Sequence, residues 1–310
     1  MEPRPLGRTG ASVSVLGFGG MELRGPPRAP ALTDAEASAL MHAVLDAGIT
    51  LVDTSIDYGA SEEVIGRTLA SRRGEYFLCS KCGCSLDPRA GESGPYPHDW
   101  RPEVVRAGID RSLRRLATDH LDLLQVHMSP SRARMGEERT VETLQALRDE
   151  GKVRFIGVSA VLPTLDEQIE MGVFDAFQIP YSAMQREHED VITRASAAGA
   201  GIIVRGGVAR GIPEDWGGRT YYMVSNETMR AYWETARLDE LLDGMGRTAF
   251  LLRFTLSHPD IDTTIVGTRS VEHLRANLAA AARGPLPADV LAEAKARLEA
   301  AGARPAAARP

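Results

Sequence analysis

The sequence predicts an α/β fold, a single-domain (β/α)8 or TIM barrel with an N-terminal hairpin and a C-terminal helix, and three observations predict it. Eight short apolar or β-branched runs recur along the 310 residues, a longer amphipathic stretch separates each from the next, and residues able to do acid–base chemistry stand at the ends of several runs. Strand then helix, repeated eight times, implies a parallel sheet with crossover helices, for which closure into a barrel is the economical solution. Such a barrel takes about 250 residues, so 310 residues with 43% hydrophobic content accommodate one domain with additions.

Residues 3–15, PRPLGRTGASVSV, read as a small hairpin turning at Arg8, Thr9 and Gly10, placed to close the far end of the barrel. The eight runs are VSVLGFG, ITLVD, YFLCSK, LDLLQV, VRFIGVS, FDAFQIP, GIIVRG and TTIVGT. Helical patterns lie between them. Thr33-x-x-Glu36 is a capping box before a helix reaching Ala47. Ser61 with Glu63 opens a second, Pro102 suits the first turn of a third, and Thr140 starts a fourth that ends near Gly151. Pro287 to about Ala300 reads as the C-terminal helix from its Ala, Glu, Lys and Leu content, and the tail, 302–310, is expected to fray. Two long stretches after strands read as lid loops, 82–101 and 206–234, the second carrying Trp216, Tyr221, Tyr222 and Trp233.

The balance of 36 Lys and Arg against 42 Asp and Glu, a net charge of −6, supplies no basic field for a nucleic-acid backbone. No apolar run reaches the roughly 20 residues that span a bilayer, and the N-terminus lacks a signal core, so a cytoplasmic location is expected. The three cysteines, Cys79, Cys82 and Cys84, are an odd number and argue for reduced thiols. A zinc cluster at CSKCGC would need a fourth ligand, with His98 the only neighbour in sequence, and strand alternation keeps the thiols from converging. Small buried side chains beside a pocket are the expected role, with no metal.

Asp53 ends ITLVD, Tyr58 follows in DTSIDYG, Lys81 ends YFLCSK, and His127 follows LDLLQV. In a barrel of this kind the C-terminal ends of the strands converge on one pocket. A lysine held by an aspartate would favour the phenolate and bring a tyrosine down from its reference of about 10 toward working pH. Tyr58 is therefore the candidate general acid, and neither paired carboxylates nor a metal cluster stands at the rim to support a hydrolase.

With these residues placed, the chain resembles the aldo-keto reductases over nearly its whole length, closest to the short-loop bacterial members. The resemblance rests on VLGFGGM at 15–21, DTSIDYG at 53–59, the lysine of SKCG, the histidine of LQVH, VRFIGVS at 153–159, FQIPY at 177–181 and IVGTRSVEHLRANL at 265–278, in that order. It implies that Asp53, Tyr58, Lys81 and His127 form a catalytic tetrad. It implies a nicotinamide cofactor touching Gly20, Met21, Asp53, Gly206 and Gly267, with Ser159 and Gln178 on the carboxamide, and Arg205 or Tyr181 stacking on the ring. Gly267, Thr268 and Arg269 would then lie along the adenosine phosphate, His273 at the position of a common phosphate-gripping arginine, and Asn277 near the adenine. A turn opening a helix presents backbone N–H groups to an anion, and Arg269 suits a 2′-phosphate, which argues for NADPH. Ala160 departs from the family pattern in place of an asparagine.

The expected activity is NADPH-dependent reduction of an aldehyde or ketone. Met21, Tyr58, Trp100, His127, Met128, Tyr222 and Trp233 are the candidate substrate contacts, whose aromatic and thioether character suits an apolar carbonyl compound. Reduction of a cyclic imine, or an NADPH-binding redox sensor with little turnover, are the alternatives.

Overall fold

A computed structural model describes residues 3–26, 30–84, 98–216 and 224–307. Strands β1 (Pro3–Pro5) and β2 (Ser12–Ser14) pair antiparallel as the expected hairpin. The eight following strands are β3 (Leu16–Gly19), β4 (Leu51–Asp53), β5 (Phe77–Cys82), β6 (Leu121–His127), β7 (Val153–Ser159), β8 (Ala176–Pro180), β9 (Gly201–Arg205) and β10 (Thr263–Val266). They pair parallel in chain order, and β10 closes the ring onto β3. Each predicted run overlaps one of them, with β5 and β6 reaching one residue past theirs.

Alternation along the strands sorts the barrel interior into two levels. At the N-terminal level Leu51, Phe77, Cys79, Leu123, Ala176 and Ile203 form a small apolar cluster into which the hairpin inserts Leu6 and Val13, both fully buried. The hairpin thus plugs the bottom. Two residues further along the same faces, the inward positions become Asp53, Lys81, Gln125, Gln178 and Arg205. The larger core lies outside the sheet, between strands and helices.

The helices are α1 (Asp34–Asp46), α2 (Ser61–Leu69), α3 (Pro102–Leu116), α4 (Arg132–Glu137), α5 (Thr140–Asp149), α6 (Thr164–Glu170), α7 (Glu189–Ala197), α8 (Asn226–Thr235), α9 (Arg247–Leu256), α10 (Val271–Ala282) and α11 (Ala288–Ala300). The Thr33–Glu36 capping box opens α1, and Pro102 opens α3. Ser61 does not cap α2; its hydroxyl bonds the Gly20 carbonyl at 2.9 Å and Thr54 at 2.8 Å, tying α2 to the ends of β3 and β4. The stretch 206–234 is only partly loop. Residues Ala209–Glu214 form a 3-10 turn, and α8, capped by Ser225, takes up its end. Among the described residues no helix is long and apolar enough to cross a membrane.

The chain after α11 is anchored rather than frayed as far as Ala306. Arg186 donates to the Ala303 carbonyl, Ala306 N–H donates to the Glu187 carbonyl, and Ala303 is buried. Beside this anchor His188 is buried and its Nε2 accepts the Leu162 N–H at 3.1 Å. Burial, with Arg205 adding to it, lowers its pKa to about 4. Because the unfolded chain takes up that proton first, the stability the neutral ring contributes is present above its ordinary pKa of 6.5 and is lost as pH falls toward 4. The thermal midpoint is expected to drop across that window, and His188→Gln, which keeps an acceptor for Leu162 but no titrating ring, to flatten the drop. Equal slopes in both proteins would exclude this source.

Candidate active site

Asp53 and Lys81 face each other across adjacent strands with side chains 2% and 1% exposed. Lys81 Nζ donates to Asp53 Oδ2 and to the Thr54 carbonyl, both at 2.7 Å. The other carboxylate oxygen, Oδ1, accepts from Gln125 Nε2 at 2.9 Å and Gln178 Nε2 at 2.8 Å. Burial alone would push the lysine pKa down; the Asp53 carboxylate, with Tyr58 and Asp57 nearby, outweighs it and holds the ammonium above its ordinary value. The result is a fixed positive charge in a dry place.

Tyr58 sits on the turn after β4, where Ser61 N–H donates to its carbonyl. Gly59 makes this turn possible. It has φ +50°, and a Cβ there would lie 2.2 Å from the Arg24 carbonyl oxygen. Lys81 Nζ is 5.0 Å from the Tyr58 ring centroid, and the His127 ring meets it edge-on with centroids 6.1 Å apart. His127 Nδ1 lies 2.9 Å from Cys84 Sγ and 3.6 Å from Asp57 Oδ1. Burial drives the His127 pKa to about 3; Asp57 opposes the shift, while Lys81, His98 and Arg205 deepen it. The ring is neutral at physiological pH. Burial also pushes the thiols up, Cys82 to about 12 and Cys79 and Cys84 well above their ordinary value, which favours the protonated form of all three.

Asp53, Tyr58 and Gln178 line the inner end of a cleft with Met21, Arg205, Gly206 and Gly267. Through Glu22, Val208, Arg210 and Gly267 the cleft continues into a cavity of about 550 Å³ lined by Thr268, Arg269, Ser270, His273 and Asn277. Gly267 is what lets the ends of β3 and β10 close together here, since a Cβ would lie 2.7 Å from the Gly19 carbonyl oxygen. An ion pair between Glu22 and Arg210, 3.1 Å, joins the two walls. At the far end Ser270 caps α10 and turns its N-terminus to the cavity.

Ser159 donates to Gln178 Oε1 at 3.2 Å, a buried pair of which Gln178 lines the cleft and Ser159 does not. Gly20 is buried in the 3-10 turn after β3 and is not among the residues that line the cleft. Trp100 is buried under His127, its Nε1 donating to the His127 carbonyl at 3.2 Å, and Met128 is half-exposed. Two expectations need correction. Tyr181 is fully buried against Phe254 and His258, on the outer face of the strand with Phe177 and Ile179, and does not line the cleft. Trp233 is a core residue of α8, its ring against Phe250 and Arg247 and its Nε1 bonded to Asp239. Tyr222 lies outside the described residues.

The Aldo/keto reductase family profile matches residues 15–299. The chain belongs to the aldo/keto reductase family. It is 28% identical over 295 residues to the uncharacterized oxidoreductase YqkF of Bacillus subtilis, covering 91% of each chain. It is 29% identical to L-galactose dehydrogenase of Arabidopsis thaliana, covering 90% of this chain and 88% of that one. Among solved structures it is similar to the holo form of aldo-keto reductase AKR11C1 from Bacillus halodurans, with a TM-score of 0.81, 28% identity and 96% of each chain covered. Membership of this family makes the protein an oxidoreductase that works with a nicotinamide cofactor.

Gln125, Asp57, Glu22 and Arg210 escaped the sequence reading. Gln125 had a usable signal: it precedes His127 by two residues on the same strand, so alternation aims both inward. Glu22 and Arg210 had none, because their pairing joins loops 188 residues apart.

Proposed function

We propose that the protein reduces an aldehyde or ketone with NADPH and that Tyr58 supplies the proton. One observation carries the reading: a buried Lys81–Asp53 ion pair beneath the Tyr58 ring, at the closed end of a cleft whose open end is lined by Arg269, His273 and Asn277. The cleft fits an elongated anionic cofactor, since a glycine replaces a wall side chain at Gly267 and a capped helix N-terminus with two basic side chains ends the cavity. When bound, the reduced nicotinamide supplies the hydride.

The chain's own residues do the rest. Tyr58 donates its hydroxyl proton to the carbonyl oxygen, and the Lys81 ammonium stabilises the negative charge left behind. With the Cys84 thiol protonated, its donation to Nδ1 leaves the His127 ring proton on Nε2, a neutral donor suited to hold the substrate oxygen. Met21 on the cleft wall and the half-exposed Met128 offer apolar surface for the remainder of the substrate, whereas Trp100 is buried.

Arg269→Ala is expected to weaken NADPH binding by roughly 10- to 100-fold, the worth of a charge-assisted hydrogen bond, and to leave NADH binding nearly unchanged. Fluorescence titration of both cofactors tests this. Equal losses for the two would remove Arg269 from the 2′-phosphate and with it the preference for NADPH.

A further inference from the structure

We infer that Cys84, His98 and His127 form a binding site for a thiophilic divalent cation, best matched to Zn2+, whose occupation switches the reduction off. One ligand atom from each lies within 4.8 Å of those of the other two. One thiolate and two imidazoles are a donor set that zinc takes readily, with its fourth position left to water.

Backbone pairing and ring stacking hold these donors in place. Cys84 and His98 face each other in an antiparallel bridge, and Asp99 N–H donates to the Gly83 carbonyl beside it. The His98 ring stacks on Trp100, centroids 5.7 Å apart, and Trp100 Nε1 holds the backbone of His127. Of the three cysteines in CSKCGC only Cys84 comes here; Cys79 belongs to the apolar cluster inside the barrel and Cys82 to the core outside it. Tetrahedral geometry at ordinary bond lengths sets sulfur and nitrogen about 3.6 Å apart, so the Cys84 and His127 pair at 2.9 Å has to open by rotation of the cysteine side chain. Asp57, 3.6 Å from His127 Nδ1, stands close enough to bond a metal-held water.

On binding, the Cys84 Sγ–H bond breaks, its proton leaves to solvent, and the thiolate and the two ring nitrogens share lone pairs with the ion; no electron is transferred. The ion occupies the Nδ1 lone pair of His127 and, with the Cys84 proton gone, adds one net positive charge near Tyr58, whose ring centroid is 6.1 Å from that of His127. That charge favours the phenolate, which has no proton to give.

The activity readout rests on the proposed carbonyl reduction; the binding readout does not. Titration of the reduced, full-length protein with Co2+ is expected to give a thiolate-to-cobalt charge-transfer band that saturates at one equivalent. Zn2+ should displace the cobalt, abolish NADPH oxidation, and release it again on addition of EDTA. His98→Ala, which removes a ligand outside the proposed reaction machinery, should keep basal turnover and raise the zinc concentration for half-inhibition roughly tenfold or more. Cys84→Ser should lose the band whatever its activity. Absence of the band in the wild type, or the same zinc midpoint in wild type, His98→Ala and Cys84→Ser, would overturn the site; the band with undiminished reduction would overturn the switch.

Discussion

Tyr58→Phe is expected to lower turnover by roughly 10²–10⁴-fold, the usual contribution of a positioned general acid, while cofactor affinity is unchanged. The hydroxyl is the only atom removed, and the ring keeps its contacts with Lys81, Arg24 and His127. The cleft toward Arg269 and Asn277 is untouched, so cofactor titration of the variant separates a lost proton donor from a collapsed site. Near wild-type turnover in Tyr58→Phe would end the assignment.

Lys81→Met should cost as much activity and, unlike the tyrosine variant, a great deal of stability. It leaves the Asp53 carboxylate in the barrel interior with the amides of Gln125 and Gln178 as its hydrogen-bond partners among the described residues. Removing one member of a buried ion pair typically costs about 3–5 kcal/mol, because the survivor is uncompensated. The double variant Asp53→Asn with Lys81→Met removes both charges and should recover most of that stability in urea unfolding without recovering turnover. That split distinguishes a charge needed for chemistry from one needed for folding. Recovery of activity along with stability would show that Lys81 serves the fold alone.

Much of this site was legible because strand periodicity and strand ends are written locally. Asp53, Lys81 and His127 each occupy an inward position at or near the C-terminal end of a strand, the first two standing two residues beyond the apolar Leu51 and Cys79 and His127 four beyond Leu123. The same parity, applied strictly, places Tyr181 on the outer face with Phe177 and Ile179 and aims Arg205 inward with Ile203. The misplaced Trp233 has a different cause. Helix α8 starts at Ser225 without the acidic residue that completes a capping box, and its buried face is carried by only Met229 and Trp233, four apart. An aromatic residue in a short, weakly marked helix therefore reads as part of a loop. The tail was misjudged because its anchors, Arg186 and Glu187, lie more than a hundred residues away and leave no local trace.

The cleft joining Tyr58 to the basic cavity at α10 makes one measurement the most direct test of the whole account. NADPH carrying deuterium at the transferable position would be incubated with a panel of aromatic aldehydes and ketones, and the products analysed by mass spectrometry. The expected product is an alcohol with one deuterium on the former carbonyl carbon, formed by the wild-type protein and reduced to a trace in Tyr58→Phe. Tight NADPH binding with no labelled alcohol from any member of the panel would contradict it, and would make the protein a cofactor-binding sensor.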